Sequence, residues 1–565
     1  MRTKRSGIVL TLATVLAVTL LDVGGTANAD PQGDEPPTMA EKKLAEELSS
    51  ESLQTEEQPV QEIEQLSAAR KAAAAKEVRL TSNGAWSWYM DPRVLESSRA
   101  TYLGYVARSG SVMLTSVRHS DALMTTTTLR ARQERDDHNA PALVQTPGRK
   151  IVAFWAGHAL APVRYRISRG ADDISAMSAT RSLKGSGLEN APATYVQAFY
   201  LRGSGRPYHL LTRRDSDRMW MLTTSKDLRT WSKAVEVIKR PSWNVDTWPY
   251  VEATSDGWRR IHLTMTDGHP SNDVDTSLFH MYYRTDDHTL RRSSGSVITT
   301  LSATRQRPAN PRLGTTIYNG RSIDGRVRVY DVALADGRPA VVFTTIDRSV
   351  SARTYTHKWS RLGYDGRWKT YTLARRRGSP RGLAIDSGDG YKVHLVNGVG
   401  GDDQVHELNT PDHGRTWTAT PISGAASDLR NPTSPWGAAQ KFSVLWMKGR
   451  YDGFRDFRTG IRGSTTGHIP ITLGLSVPSD WRRTGRVTGI ARQGIGGPRE
   501  AWLKVWLLVK EPGGKQRWVR SATTSSTGRV SVPVNRFYKR GTTLRLYTSG
   551  DAERGAAYSS VFTVR

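Results

Sequence analysis

Two histidines, His138 and His158, stand near the ends of the stretch RDDHNAPALVQTPGRKIVAFWAGH. Between them lie two apolar runs, ALV and IVAFW, separated by the turn signal TPGR, which reads as one antiparallel hairpin. Opposed residues of such a pair have numbers with a constant sum. The sum for His138 and His158 is twice Gly148, a residue of the turn, so both rings are expected at the open end of this hairpin. The next hairpin repeats the pattern, because Tyr195 and Arg213 are centred on Ser204 in RGSGRP. A third hairpin ends in Thr266-Asp267-Gly268-His269-Pro270, opposite residues 244–246.

Two histidines, a tyrosine and an arginine can carry one reaction without paired carboxylates. Arg and His neutralise a substrate carboxylate and acidify the adjacent carbon, His or Tyr removes that carbon's proton, and Tyr protonates the leaving oxygen. On a uronic-acid polysaccharide this is β-elimination. A neutral His, with an ordinary pKa of about 6.5, is a base without help; Tyr, at about 10, needs a nearby cation. The candidate catalytic set is therefore His138, His158, Tyr195 and Arg213. Asn139, Arg214, Tyr250 and His269 form the candidate substrate-binding set. Asp136 and Asp137 could orient His138. A His at a strand end is more often structural, Tyr195 could be strand filler, and Arg213–Arg214 could be a solvated pair. The matching symmetry of two successive hairpins is what favours a site. His138, His158 and a nearby Asp are metal-ligand types, but nothing in their spacing demands an ion: the chemistry requires no cofactor, and a structural divalent metal is left open without being indicated.

The elements that would position these groups are strands. From residue 80 onward the apolar runs are short, rich in Val, Ile, Tyr, Trp and Thr, and bounded by turn residues. Hairpin centres near Gly148, Ser204, Asp256, Asp336 and Gly388 recur at about fifty residues, with one longer step holding the extra hairpin HMYYRTDDHTLRR. The expected fold is all-β: a seven-bladed β-propeller over 79–463, then a C-terminal immunoglobulin-like β-sandwich over 464–565. Thr410–Trp417 fits the turn pattern S/T-x-D-x-G-x-T-W, and Ser225–Trp231 fits it with Leu228 in the Gly position. Both are read as structural turns.

Residues 1–29 read as a secretory signal peptide: Arg2, Lys4 and Arg5, an apolar run from Ile8 to Leu21, then Ala27-Asn28-Ala29. Residues 30–78 hold 12 acidic and 5 basic side chains, an acidic flexible or partly helical stalk. The whole chain carries +28, which leaves +33 on residues 79–565 and points to a polyanionic partner. No cysteine is present, so disulfides are excluded. The expectation is a secreted monomer acting on an acidic polysaccharide, with no nucleic-acid partner and no membrane anchor.

The motifs AWSWYMDPR (85–93), DDHN (136–139) with Pro141-Ala142-Leu143, AGH (156–158), WPY (248–250), TDGHP (266–270) and DGRP (336–339) resemble the BNR-repeat family of secreted bacterial proteins over about 83–460. That family includes seven-bladed propeller polysaccharide lyases, among them ulvan lyases. The resemblance implies a catalytic set at His138, His158, Tyr195 and Arg213, with Tyr as acid or acid–base and His and Arg neutralising the carboxylate. It leaves both His138 and Tyr195 as candidates for the base. Metal sites in some relatives use cysteine, and this chain has none. Two other functions stay open: a sialidase-like glycoside hydrolase, for which no rim glutamate is suitably placed, and a non-catalytic propeller that binds a polyanionic glycan.

Overall fold

The computed structural model describes residues 76–565 apart from 241–247, 270–274, 324, 348–353, 400–401, 438–440, 466, 496–497 and 552–553. The expected signal peptide, most of the stalk, residues 244–246 and Pro270 lie outside the described residues. What is described falls in one compact unit, 52–565.

Among the described residues, seven antiparallel sheets follow one another along 76–465. Six are built from strands close in sequence, the first running from Val94–Glu96 to Met124–Arg130 and the sixth from Leu383–Ile385 to Thr418–Pro421. The seventh takes Leu429–Thr433, Phe442–Gly453 and Asp456–Thr465 and adds Lys76–Thr81 as its outer strand. The two ends of the 76–465 segment thus share one sheet. Lys76–Val78 belong to this closing strand rather than to the stalk, and the last strand ends at Thr465 rather than at 463. The extra hairpin at 280–292 does not start a new sheet; Leu278–Arg284 and Thr289–Arg291 extend the fourth.

Alternation of the short strands buries several apolar clusters, and in one of them Trp86, Tyr89, Tyr195 and Tyr250 sit among aliphatic side chains. Both boxed turns do structural work. Asp412 accepts from the Thr416 N–H (2.8 Å) and Asp227 from the Arg229 N–H (2.9 Å), above the buried Trp417 and Trp231. Leu228 adopts φ +59° where the pattern asks for Gly.

Beyond Ile471 two further sheets, Ile471–Ser476 with its partners and Lys504–Lys510 with its partners, enclose a separate core of Leu473, Val487, Val505, Leu507, Val532 and Leu546. Among the described residues no helix is long and apolar enough to cross a membrane.

Candidate active site

The first hairpin pairs Ala142–Gln145 with Ile151–Trp155 in the register expected from the histidines: Leu143 faces Ala153 and Val144 faces Val152. His138 precedes it in a 3-10 turn, Asp137–Asn139, whose N-cap Asp136 accepts from the His138 N–H. His158 follows it in a loop where Gly157 approaches Ala161 so closely that a Cβ would lie 2.6 Å from the Ala161 nitrogen. The two imidazoles stack, with ring centres 4.1 Å apart.

One buried carboxylate organises them. His138 Nδ1 donates to Asp136 Oδ1 at 2.7 Å and His158 Nδ1 donates to Asp136 Oδ2 at 2.9 Å. Asp137 Oδ1 lies 3.2 Å from His138 Nδ1. With both Nδ1 atoms turned to Asp136, both Nε2 atoms are left for other partners. Burial alone would lower the pKa of His138, but the hydrogen bonds and charges of Asp136 and Asp137 outweigh it and push the ring up to about 9. For Asp136 burial pulls upward, and the hydrogen bonds and charges of the two histidines hold it below the usual carboxylate range. His138 is therefore an imidazolium at neutral pH. This corrects the expectation that it could serve there as a neutral base.

The second hairpin keeps its expected register from Val196 inward, where Val196 faces Thr212, and then slips, so that Thr194 faces Arg213. Tyr195 is the extra residue, a bulge with φ +62°. The expected pairing of Tyr195 with Arg213 is thus replaced by a bulge that re-aims the tyrosine. Its ring lies 5.5 Å from that of His138, and the Arg213 guanidinium sits 4.7 Å from its centre and 5.5 Å from that of Tyr250. Burial drives the Tyr195 phenol well above its ordinary pKa, Tyr250 adds to this, and Arg213 opposes it. Arg213 is 2% exposed and 3.4 Å from Asp215, whose other oxygen accepts from Thr194 Oγ1 at 2.6 Å. Its guanidinium faces the rings of Tyr195 and Tyr250.

The remaining expected residues divide. Tyr250 joins the cluster, 5.8 Å from Tyr195, and His269 packs edge-on against it at 4.8 Å. Burial, with Arg328, Arg213 and His138, lowers His269 to about 4, so it is neutral at pH 7. Arg214 is directed elsewhere, into ion pairs with Asp217 and Glu236. Asn139 is fully buried, its amide nitrogen 3.5 Å from the Glu134 carbonyl oxygen, which removes it from any sugar.

Sequence reasoning missed the turn of the closing hairpin between Phe442–Gly453 and Asp456–Thr465. Phe454 packs edge-on against both His138 and His158 at 5.2 Å. Arg455 Nε donates to Asp136 Oδ2 at 3.1 Å while its side chain stays 56% exposed, and Tyr451 Oη donates to Asp137 Oδ2 at 2.6 Å. Tyr89, φ +69°, lies 5.2 Å from Tyr195 and its backbone N–H donates to Glu252 Oε1 (2.9 Å). An aromatic and an arginine at one Gly-containing turn, GFRD, were the available signal.

Asp136, His138 and His158 offer donor atoms within 4.8 Å of one another, a geometry open to a metal ion. Here the three are engaged with each other, and the Arg455 guanidinium already supplies a cation to the same carboxylate. The cluster presents an imidazolium, a second imidazole anchored through Nδ1, a buried phenol and an exposed arginine.

Residues 100–376 match the family described as "BNR repeat-containing family member". No curated protein matches the chain. Among solved structures, an ulvan lyase of a new polysaccharide lyase family, bound to -[GlcA(1-4)Rha3S]-, is similar with a TM-score of 0.52 at 14% identity, covering 70% of this chain and 96% of that one. A second structure described as an ulvan lyase of this new family gives 0.53 at 14% identity, covering 69% of this chain and 96% of that one. Likeness at this identity establishes a shared fold.

Proposed function

Starting from a chain that carries the BNR repeat-containing family's region over residues 100–376, we propose that it is a secreted polysaccharide lyase that cleaves a uronic-acid polymer by β-elimination. In this reading the seven sheets are seven blades of one propeller, the two C-terminal sheets form an immunoglobulin-like sandwich, and the protein works as a monomer without a cofactor. The observation that carries it is the convergence of His138, His158 and Tyr195 around the Asp136 carboxylate and the buried Arg213.

The roles follow from the protonation states. The His138 imidazolium, helped by exposed Arg455, neutralises the uronate carboxylate, which lowers the cost of removing the proton at C5. His158 is anchored to Asp136 through Nδ1, which leaves its Nε2 to take the C5 proton as base. Tyr195, kept protonated by burial, donates to the glycosidic oxygen as the C4–O bond breaks and the C4=C5 double bond forms. Arg213 steadies the phenolate that remains, and the proton on His158 returns to Tyr195 through solvent. Tyr250 and His269 wall the site.

The test is the ultraviolet absorbance of an unsaturated uronate released from ulvan, glucuronan, pectins and glycosaminoglycans. Wild type should generate it on at least one polymer, and Tyr195→Phe or His158→Ala should lower the rate at least about a hundredfold. Reducing ends released without absorbance would mean hydrolysis, and binding with neither product would mean a glycan-binding propeller; either result overturns the lyase reading.

A further inference from the structure

We infer that the outer face of the C-terminal sheet, with Trp502 at its edge, is a second binding site, for an acidic glycan chain. The sheet runs Ile471–Ser476, Arg486–Gln493, Arg529–Pro533. Leu473, Val487, Ala491 and Val530 point into the core, so the alternate residues face outward. The register sets them in rows: Thr472 beside Arg492; Gly474, Ile490 and Arg529; then Ser476, Thr488 and Ser531. Gly474 leaves the floor bare, since a Cβ there would meet nothing closer than 3.8 Å. Together with Trp502 and Thr523–Ser525 this face lines a groove of about 940 Å³.

Trp502 marks the groove as a built feature. Its side chain is 68% exposed, although its φ of +60° is one that a bulky residue rarely adopts. The backbone is held there from several sides. The Trp502 N–H donates to the Thr524 carbonyl (3.1 Å), the Leu503 N–H to Thr524 Oγ1 (2.8 Å), Thr524 Oγ1 to the Glu500 carbonyl (2.9 Å), and Arg554 to the Ala501 carbonyl (2.6 Å). Backbone strain maintained by over-determined surroundings is typical of ligand sites. An exposed indole beside hydroxyls is a platform for a sugar ring, and guanidiniums grip carboxylate or sulfate groups through paired hydrogen bonds. The charge selects the acidic class. Among the described residues no Asp or Glu lines the groove, and residues 464–565 hold seventeen Lys and Arg against five acidic residues. The site shares with the proposed reaction only the class of polymer and none of its residues.

The test is calorimetric titration of the full chain with polygalacturonate (carboxylate), dextran sulfate (sulfate) and dextran (neutral) at 0.15 M salt. Trp502→Ala leaves the net charge unchanged, so general attraction to a polyanion persists while stacking is lost. Affinity for at least one acidic polymer should fall at least about fivefold in Trp502→Ala and in Arg529→Gln, recover in Trp502→Tyr, and stay at wild type in the charge-matched control Arg520→Gln. Whichever acidic polymer responds names the group recognised. Wild-type affinity in Trp502→Ala, an equal loss in Arg520→Gln, or an equal response to dextran overturns the inference. Release of unsaturated product from short oligosaccharides, read in parallel, separates the two proposals: a Trp502-dependent affinity without turnover refutes only the lyase, and turnover without that dependence refutes only this site.

Discussion

Replacing Asp136 by Asn removes the one charge on which both histidines rest while keeping the shape of the side chain. Holding His138 at about 9 instead of the ordinary 6.5 corresponds to about 3 kcal/mol in favour of its imidazolium, shared by Asp136 and Asp137. At pH 8 about nine-tenths of wild-type molecules carry that charge, against about one in thirty for an ordinary imidazole. If the imidazolium neutralises the uronate carboxylate, Asp136→Asn should lose at least about tenfold in the rate of unsaturated-uronate release at pH 8 and recover much of it at pH 6. The alkaline limb of its pH–rate profile should move from near pH 9 toward neutrality. Stability should follow the same window. A group raised by folding contributes fully below its unfolded value and loses that contribution as pH rises through its folded one. Urea melts of wild type should therefore weaken between about pH 6.5 and 9 by a few kcal/mol at most, and those of the variant much less. The depressed Asp136 is the same contact seen from the acid side, with a contribution lost as pH falls below its ordinary range near 4, and the two are not additive. A variant whose rate profile and melts superimpose on wild type at every pH would refute the assignment of charge to His138.

The other predictions concern neighbouring groups. Arg213→Ala should destabilise the fold by about 1–3 kcal/mol in urea melts, because it vacates the space beside two tyrosine rings and takes one cation from Asp215, which keeps Arg218 at 2.9 Å. Arg214→Ala should cost less than about 1 kcal/mol and leave turnover within about twofold, because its partners lie off the cluster. Asp412→Ala should lower stability by about 1–2 kcal/mol with turnover unchanged, since its carboxylate serves only its own turn. Exhaustive dialysis against a chelator should leave the rate of product release unchanged; a loss reversed by zinc would assign an ion to Asp136, His138 and His158.

Register was legible wherever it depended on local periodicity. The first hairpin follows the sum implied by His138 and His158 through its whole ladder, and the second follows its own as far as Val196. The reading failed at Tyr195, one residue further. A bulge changes no hydrophobic alternation inside the strand and needs no Gly here, so the pattern carries no trace of it. Arg214 and Asn139 failed for another reason: residue type says that a side chain can bind a ligand, while strand parity and burial decide which way it points.

The groups that complete the cluster were out of reach for a third reason. Arg455 meets Asp136 across 319 positions, and Tyr451 meets Asp137 across 314. The turn that makes these contacts belongs to the last of the seven sheets, in which Lys76–Thr81 pairs with Asp456–Thr465. Closure covers the edge of Asp456–Thr465 with Lys76–Thr81, and the hairpin so covered carries the exposed cation and the aromatic wall beside the histidine pair. The charge on His138 and the integrity of the 76–465 segment are thus coupled through Asp136, Asp137 and the turn at Phe454–Arg455. Any change that loosens the N-terminal strand, such as a proline at Val78 on the ladder with Gly463, is expected to lower turnover before it unfolds the remaining sheets.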